Sequence, residues 1–171
     1  MTKGVRKAGK TMKDAERRRL ARRSRGAEAA ERSGPAPPGW AVVWCDGGSR
    51  GNPGPAGYGV VVSDSSGAVL DRLRASLGRR TNNFAEYSGL VAALGYALDR
   101  GAQEVLIYSD SELMVRQMQG RYTVKSPNLL ALFEQARALA RRIPRFRIEH
   151  VRREGNREAD RLANLAMDEQ G

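Results

Sequence analysis

The spacing of apolar side chains changes period several times after residue 40, and each change predicts an element. Trp40 to Asp46 alternates as a half-buried strand does, with Val42, Trp44 and Asp46 on one face. A Gly/Pro-rich turn precedes a second predicted strand, Ala56 to Ser63. Asp64-Ser65-Ser66-Gly67 then reads as a hairpin turn into a third, Ala68 to Leu77. Tyr87, Leu90, Val91, Leu94 and Leu98 recur at helical spacing, so Asn83 to Arg100 is a predicted helix that Gly101 ends. Glu104 to Asp110 is a fourth strand and Ser111 to Gln119 a short helix. Ser126 reads as an N-cap with Pro127 at the first helical position, opening a helix that buries Leu129, Leu132, Phe133, Ala136 and Ala140 and stops before Pro144. Arg145 to Val151 is a fifth strand. Asn156 is placed to cap a last helix whose apolar side is Ala159, Leu162, Ala163 and Ala166. The order βββαβααβα predicts an α/β domain over residues 40–171, a mixed sheet led by hairpins and covered by helices, without internal repeats.

Residues 1–39 break this pattern. Up to residue 33 the large apolar side chains are chiefly Val5, Met12 and Leu20, scattered among runs such as Arg17-Arg18-Arg19, too few to offset ordering entropy. A disordered basic extension is expected, helical at most transiently from Asp14 to Arg32, joined by the linker Ser33-Gly34-Pro35-Ala36-Pro37-Pro38-Gly39. Twelve Lys/Arg against four Asp/Glu give it a net charge of +8, whereas residues 40–171 carry 18 against 15, or +3. The excess charge therefore sits on the tail, which reads either as a solubilising segment or as an arm that attracts nucleic-acid phosphates. No apolar run reaches the roughly 18 residues of a membrane span, and none follows the N-terminal charges as in a signal peptide. A cytoplasmic, monomeric protein without a membrane partner is expected. Cys45 is the only cysteine, which excludes an internal disulfide and a thiolate zinc site; within Val42-Val43-Trp44-Cys45 it reads as a buried structural thiol.

Carboxylates supply the candidate chemistry. Asp46 and Asp110 each close a predicted strand, and ligand sites of open α/β sheets form at strand carboxyl ends. Glu86 lies in the first turn of a largely apolar helix, where a carboxylate is costly unless paired or bound to metal. Asp160 lies early in the last helix. Each has an ordinary explanation: a turn before Gly47-Gly48 for Asp46, a cap for Asp110, and complementation of helix N-termini for Glu86 and Asp160. Brought together, the four would repel, and a hard divalent cation such as Mg²⁺ would relieve that repulsion while keeping waters for substrate phosphates. Two such ions, about 3.5–4 Å apart, can activate a water and stabilise the leaving oxygen in phosphodiester cleavage.

The motifs around these residues resemble those of the type 1 ribonuclease H family from about Trp40 to Met167. Cys45-Asp46-Gly47-Gly48-Ser49-Arg50-Gly51-Asn52-Pro53-Gly54 resembles the family's aspartate-glycine opening and asparagine-proline-glycine turn. Thr81-Asn82-Asn83-Phe84-Ala85-Glu86 matches its paired asparagines before a glutamate. Tyr108-Ser109-Asp110-Ser111 and Glu154-Gly155-Asn156-Arg157-Glu158-Ala159-Asp160 follow in the family's order. The resemblance implies an RNase H-like fold with a five-stranded mixed sheet flanked by helices. It implies a metal-dependent endoribonuclease that cuts the RNA strand of RNA–DNA hybrids and leaves 5′-phosphate and 3′-hydroxyl ends. Asp46, Glu86, Asp110 and Asp160 would be both the catalytic residues and the ligands of two Mg²⁺ (or Mn²⁺) ions. Gly47, Asn52, Asn82 and Asn83 match positions that contact the hybrid, consistent with the 2′-hydroxyl being what separates RNA from DNA.

Three departures stand out. Gly120-Arg121-Tyr122-Thr123-Val124-Lys125 runs straight to the next helix, without the basic helical protrusion of many members. The loop Arg152-Arg153-Glu154-Gly155 lacks the histidine that members often carry there, and His150 on the preceding strand reads as structural. Arg153 becomes a candidate substrate contact, able to hold a phosphate but not to act as a general base. Glu112 stands where a glutamine is common. Competing readings are a nuclease of the same fold acting on double-stranded RNA or a retroelement intermediate, and a non-catalytic hybrid-binding module. Four retained carboxylates argue against the module, since concentrated negative charge without metal does not help to bind a polyanion.

Overall fold

Ala41–Ser49 (β1) is paired on both edges, and this decides the layout of the computed structural model, which describes residues 38–169. It runs antiparallel to Gly54–Ser63 (β2) and parallel to Glu104–Ser109 (β4). Outside these lie Val69–Arg80 (β3), antiparallel to β2, and Arg145–His150 (β5), parallel to β4. The sheet order is β3-β2-β1-β4-β5, the five-stranded mixed arrangement expected. The helices are Asn82–Asp99 (α1), Glu112–Met118 (α2), Pro127–Arg141 (α3) and Arg157–Asp168 (α4), in the expected chain order. The basic extension up to residue 37 lies outside the described residues. Among the described residues no helix is long and apolar enough to cross a membrane.

The two sheet faces are covered differently. On one, Val43, Cys45, Val60, Val105 and Ile107 meet Tyr87, Leu90 and Leu94 of α1 and Phe133 and Ala136 of α3 in the main core. Tyr87 and Phe133 pack edge to face with ring centroids 6.3 Å apart. On the other face Ala159 and Leu162 of α4 pack on Val61, with Trp44 at the margin. Cys45 is fully buried and free, as its setting implied. The close approach of α4 needs glycine beneath it: a Cβ on Gly59 would stand 2.3 Å from the Ala159 carbonyl oxygen, and one on Gly57 2.8 Å from the Ala166 Cβ.

Several boundaries differ from expectation, each for a local reason. β1 does not end at Asp46 but continues to Ser49, because Gly47, Gly48 and Ser49 pair with Tyr58, Gly57 and Ala56. β3 likewise runs on to Arg80, paired with Gly54. Helix α1 starts at Asn82, since the Thr81 hydroxyl accepts from Phe84 N at 3.2 Å and serves as its N-cap. Its far end closes as expected: Gly101, at φ +68°, donates to Leu98 O, and Ala102 donates to Ala97 O. Pro127 opens α3, but the Ser126 side chain makes no capping hydrogen bond. Asn156 occupies the N-cap position of α4 without capping it; its side chain is engaged elsewhere.

Candidate active site

Register places the two aspartates side by side. Cys45 and Ser109 are partners in the parallel β1–β4 ladder, so Asp46 and Asp110, each the next residue, emerge together. Asp46 is 9% exposed and the Asp110 side chain 13%. The ordinary explanations for both lapse. Asp46 lies inside a strand rather than in a turn, and α2 is capped by Ser111, whose hydroxyl accepts from Met114 N at 3.3 Å.

Glu86 reaches the same place because α1 crosses β1 almost backbone to backbone at Gly47. A Cβ there would lie 2.2 Å from the Ala85 carbonyl carbon and oxygen and 2.4 Å from Glu86 N. Glu86 falls in the second turn of α1, not the first, so complementation of the helix terminus does not account for it. Asn82 Nδ2 donates to Glu86 Oε1 at 3.3 Å, and Asn52 Oδ1 accepts from Asn82 N at 3.1 Å. The asparagines therefore link the β1–β2 loop, the start of α1 and the carboxylate.

Asp160 comes from α4 and is exposed, yet its carboxyl lies near enough to Asp46 to favour the protonated form of that group. Its helix is anchored by Asn156, which is 2% exposed and whose Nδ2 donates to the Cys45 carbonyl oxygen at 3.0 Å. Asp160 N in turn donates to Asn156 O at 3.1 Å. That anchor was missed in the sequence because Asn156 stands where a helix cap belongs.

The electrostatics follow from this convergence. Burial, then the charge of Asp110 and the nearby Asp160 carboxyl, push the Asp46 carboxyl up to about 8, against a hydrogen bond from Gly47 N–H that favours ionisation. Burial and Asp110 raise Glu86 to about 7, opposed by hydrogen bonds with Ser111 and Asn82 and by the charge of Arg153. Arg153 lies in the 3₁₀ turn Arg153–Gly155 with its Nε 3.9 Å from Asp110 Oδ2. The Ser111 contribution was not foreseen, although the residue directly follows Asp110.

The structure thus links Asp46 with Asp110 and Asp160, and Glu86 with Asp110. Among the described residues, however, no three acidic, His or Cys side chains stand close enough to chelate one ion as they are placed. The donor set is nevertheless hard oxygen with excess negative charge, which suits a divalent cation. Asn83 is exposed and lines a groove of about 600 Å³ with Gln117, Tyr122, Lys125 and Leu129. His150 ends β5 with its side chain exposed. Glu112 pairs with Arg116 on α2.

Comparison with known proteins agrees with this layout. Residues 44–166 match the family model described as reverse transcriptase-like. The bifunctional protein Rv2228c of Mycobacterium tuberculosis is 53% identical over 129 residues, covering 74% of this chain and 35% of that protein. The chain thus spans about a third of the length of that relative. Ribonuclease HI of Halobacterium salinarum is 38% identical over 135 residues, covering 79% of this chain and 68% of its own. The crystal structure of LC11-RNase H1 in complex with an RNA/DNA hybrid superposes with a TM-score of 0.73 at 43% identity, covering 76% of this chain and 98% of the other.

Proposed function

From the premise that this chain belongs to the reverse-transcriptase-like, ribonuclease H family, we propose that it is an endoribonuclease that hydrolyses the RNA strand of RNA–DNA hybrids. The observation that carries the reading is the convergence of Asp46, Glu86, Asp110 and Asp160, two of them held well above the ordinary carboxylate range by burial and by one another. A resting structure gains nothing from such a cluster. It costs stability until a cation arrives, which is the pattern expected of a site kept for chemistry. That LC11-RNase H1 was solved with a hybrid supports the same substrate here.

The four carboxylates would hold Mg²⁺ or Mn²⁺, two ions in the family's manner. Bound there, the metal would supply activation of the attacking water and stabilisation of the leaving oxygen. Asn82 keeps Glu86 oriented, and Asn52 keeps Asn82 in place. The exposed amides of Asn52 and Asn83, with the half-buried Asn82 between them and Glu86, can donate to and accept from ribose hydroxyls, the group that marks the RNA strand. Gly47, although matched to a substrate position, contributes chiefly by admitting α1 to the end of β1. Water adds to phosphorus as the bond to the 3′ oxygen breaks, and that oxygen leaves with a proton, giving 5′-phosphate and 3′-hydroxyl ends. The +8 charge of residues 1–39 supports their acting as an arm that holds hybrid phosphates without reading sequence.

The test is cleavage of end-labelled duplexes with Mg²⁺ or Mn²⁺. The RNA strand of a hybrid should be cut with these ends while matched RNA–RNA and DNA–DNA duplexes stay intact. Cleavage of RNA–RNA at a comparable rate would reassign the substrate. No cleavage of any duplex by folded protein would remove the enzymatic reading.

A further inference from the structure

Among the described residues, Arg153 is a cation whose charge reaches two members of the cluster. Its Nε lies 3.9 Å from Asp110 Oδ2, and its charge favours the ionised form of Glu86. Its placement is unusual for a structural ion pair. The Arg153 side chain is 93% exposed while that of Asp110 is 13% exposed, so a solvent-facing guanidinium stands beside a nearly buried carboxylate. The residue belongs to the three-residue turn that directly precedes α4, the helix bearing Asp160. Among the described residues Asp110 is its one ion-pair partner, and such exposed pairs are individually weak.

We propose that Arg153 is the built-in counter-ion of the metal-free cluster, and that a divalent ion binds by displacing it from Asp110. This rests on the reading of the four carboxylates as metal ligands. One carboxylate shared by a guanidinium and a divalent ion cannot satisfy both at close range, because the two cations repel. Arg153 therefore eases the repulsion among Asp46, Glu86 and Asp110 while no metal is present and competes with the metal for Asp110. Once displaced, the guanidinium stays charged at neutral pH and stands at the mouth of the site, free to meet a phosphate. Metal occupancy and the grip on substrate are then coupled through one side chain. This adds to the phosphate contact expected of Arg153: the same residue weakens metal binding to the free protein.

The experiment measures Mn²⁺ affinity of the full chain without nucleic acid, by calorimetry and by the loss of the free-ion paramagnetic resonance signal. Wild type and Asp110→Asn come first. Binding that Asp110→Asn leaves unchanged would overturn the metal-site reading itself. With that reading intact, Arg153→Gln should tighten Mn²⁺ binding about two- to fivefold, the range set by the weakness of exposed ion pairs. Arg153→Lys, which keeps the charge, should stay near wild type. Arg152→Gln is the control for bulk charge: it removes a neighbouring exposed arginine that, among the described residues, makes no ion pair with the cluster. Unchanged or weaker Mn²⁺ binding in Arg153→Gln, or equal tightening in Arg152→Gln, would overturn the proposal.

Discussion

The side-chain amide of Asn156 donates to the main-chain carbonyl of Cys45 at 3.0 Å, joining residues 111 positions apart. Cys45 immediately precedes Asp46, and Asn156 accepts the backbone N–H of Asp160. One buried side chain therefore sets the distance between two of the four carboxylates, one on a strand and one on a helix.

Replacing Asn156 by Ala should lower turnover about tenfold, the effect of roughly 1.4 kcal/mol of lost positioning. The Michaelis constant for hybrid should stay close to wild type, since the proposed substrate contacts lie on Asn52, Asn82 and Asn83. Asn156→Asp turns an acceptor toward an acceptor in a buried place and should destabilise the fold at least as much as Ala. Steady-state kinetics with thermal melts separate the two effects; a raised Michaelis constant with normal turnover would remove the positioning role.

Gly47→Ala should be among the most damaging single-methyl changes in the chain. The new Cβ would meet backbone atoms of α1 at 2.2 Å, and backbone cannot swing aside as a long side chain can. Overpacking of this kind costs ~3 kcal/mol, and relief by moving α1 would carry Glu86 away from Asp46. The expectation is a lower melting temperature together with weaker Mn²⁺ binding. A variant with wild-type melting and wild-type metal affinity would show that the close approach is not needed.

Much of this layout was legible in the sequence and some was not, for physical reasons. Apolar spacing around Leu90 and Leu94 and the stop at Gly101 reveal α1, because helical periodicity and C-caps are local properties. That Asp46 and Asp110 close strands was legible too, but that β1 and β4 are neighbours is shown only by their parallel pairing. The extension of β1 past Asp46 was hidden, because glycines read as a turn until pairing with residues 56–58 makes them strand. The partner of Asn156 was hidden for a similar reason: a capping residue and a long-range anchor look alike until the chain has folded. Glu86 was read into the first turn because the helix starts one residue earlier than its apolar spacing reveals, at a Thr81 cap.

Metal removal should make stability fall as pH rises. The Asp46 carboxyl titrates near 8 in the folded protein, against ~3.9 for an unfolded aspartate. The folded state therefore holds this proton more tightly, and its contribution to stability is complete below ~4 and lost as pH rises through about 8. Chelated protein should melt lower at pH 8 than at pH 5, and added Mn²⁺ should raise the melting temperature more at pH 8. Asp46→Asn, which cannot ionise, should flatten the metal-free dependence and melt higher than wild type at pH 8. A metal-free melting temperature that rises from pH 5 to pH 8, in wild type and Asp46→Asn alike, would contradict the assignment.

The central claim is that the four carboxylates act together on a hybrid, and Asp110 is the member that interacts with Asp46, Glu86 and Arg153 alike. The most direct measurement compares wild type with Asp110→Asn on one labelled RNA–DNA hybrid, recording cleavage and binding in the same buffer. Asp110→Asn keeps the shape of the side chain while removing a negative charge that repels phosphate. The expected result is loss of cleavage, since a metal-ligating charge is gone, with hybrid affinity equal to or tighter than wild type. Near-normal turnover by folded Asp110→Asn protein would contradict the account.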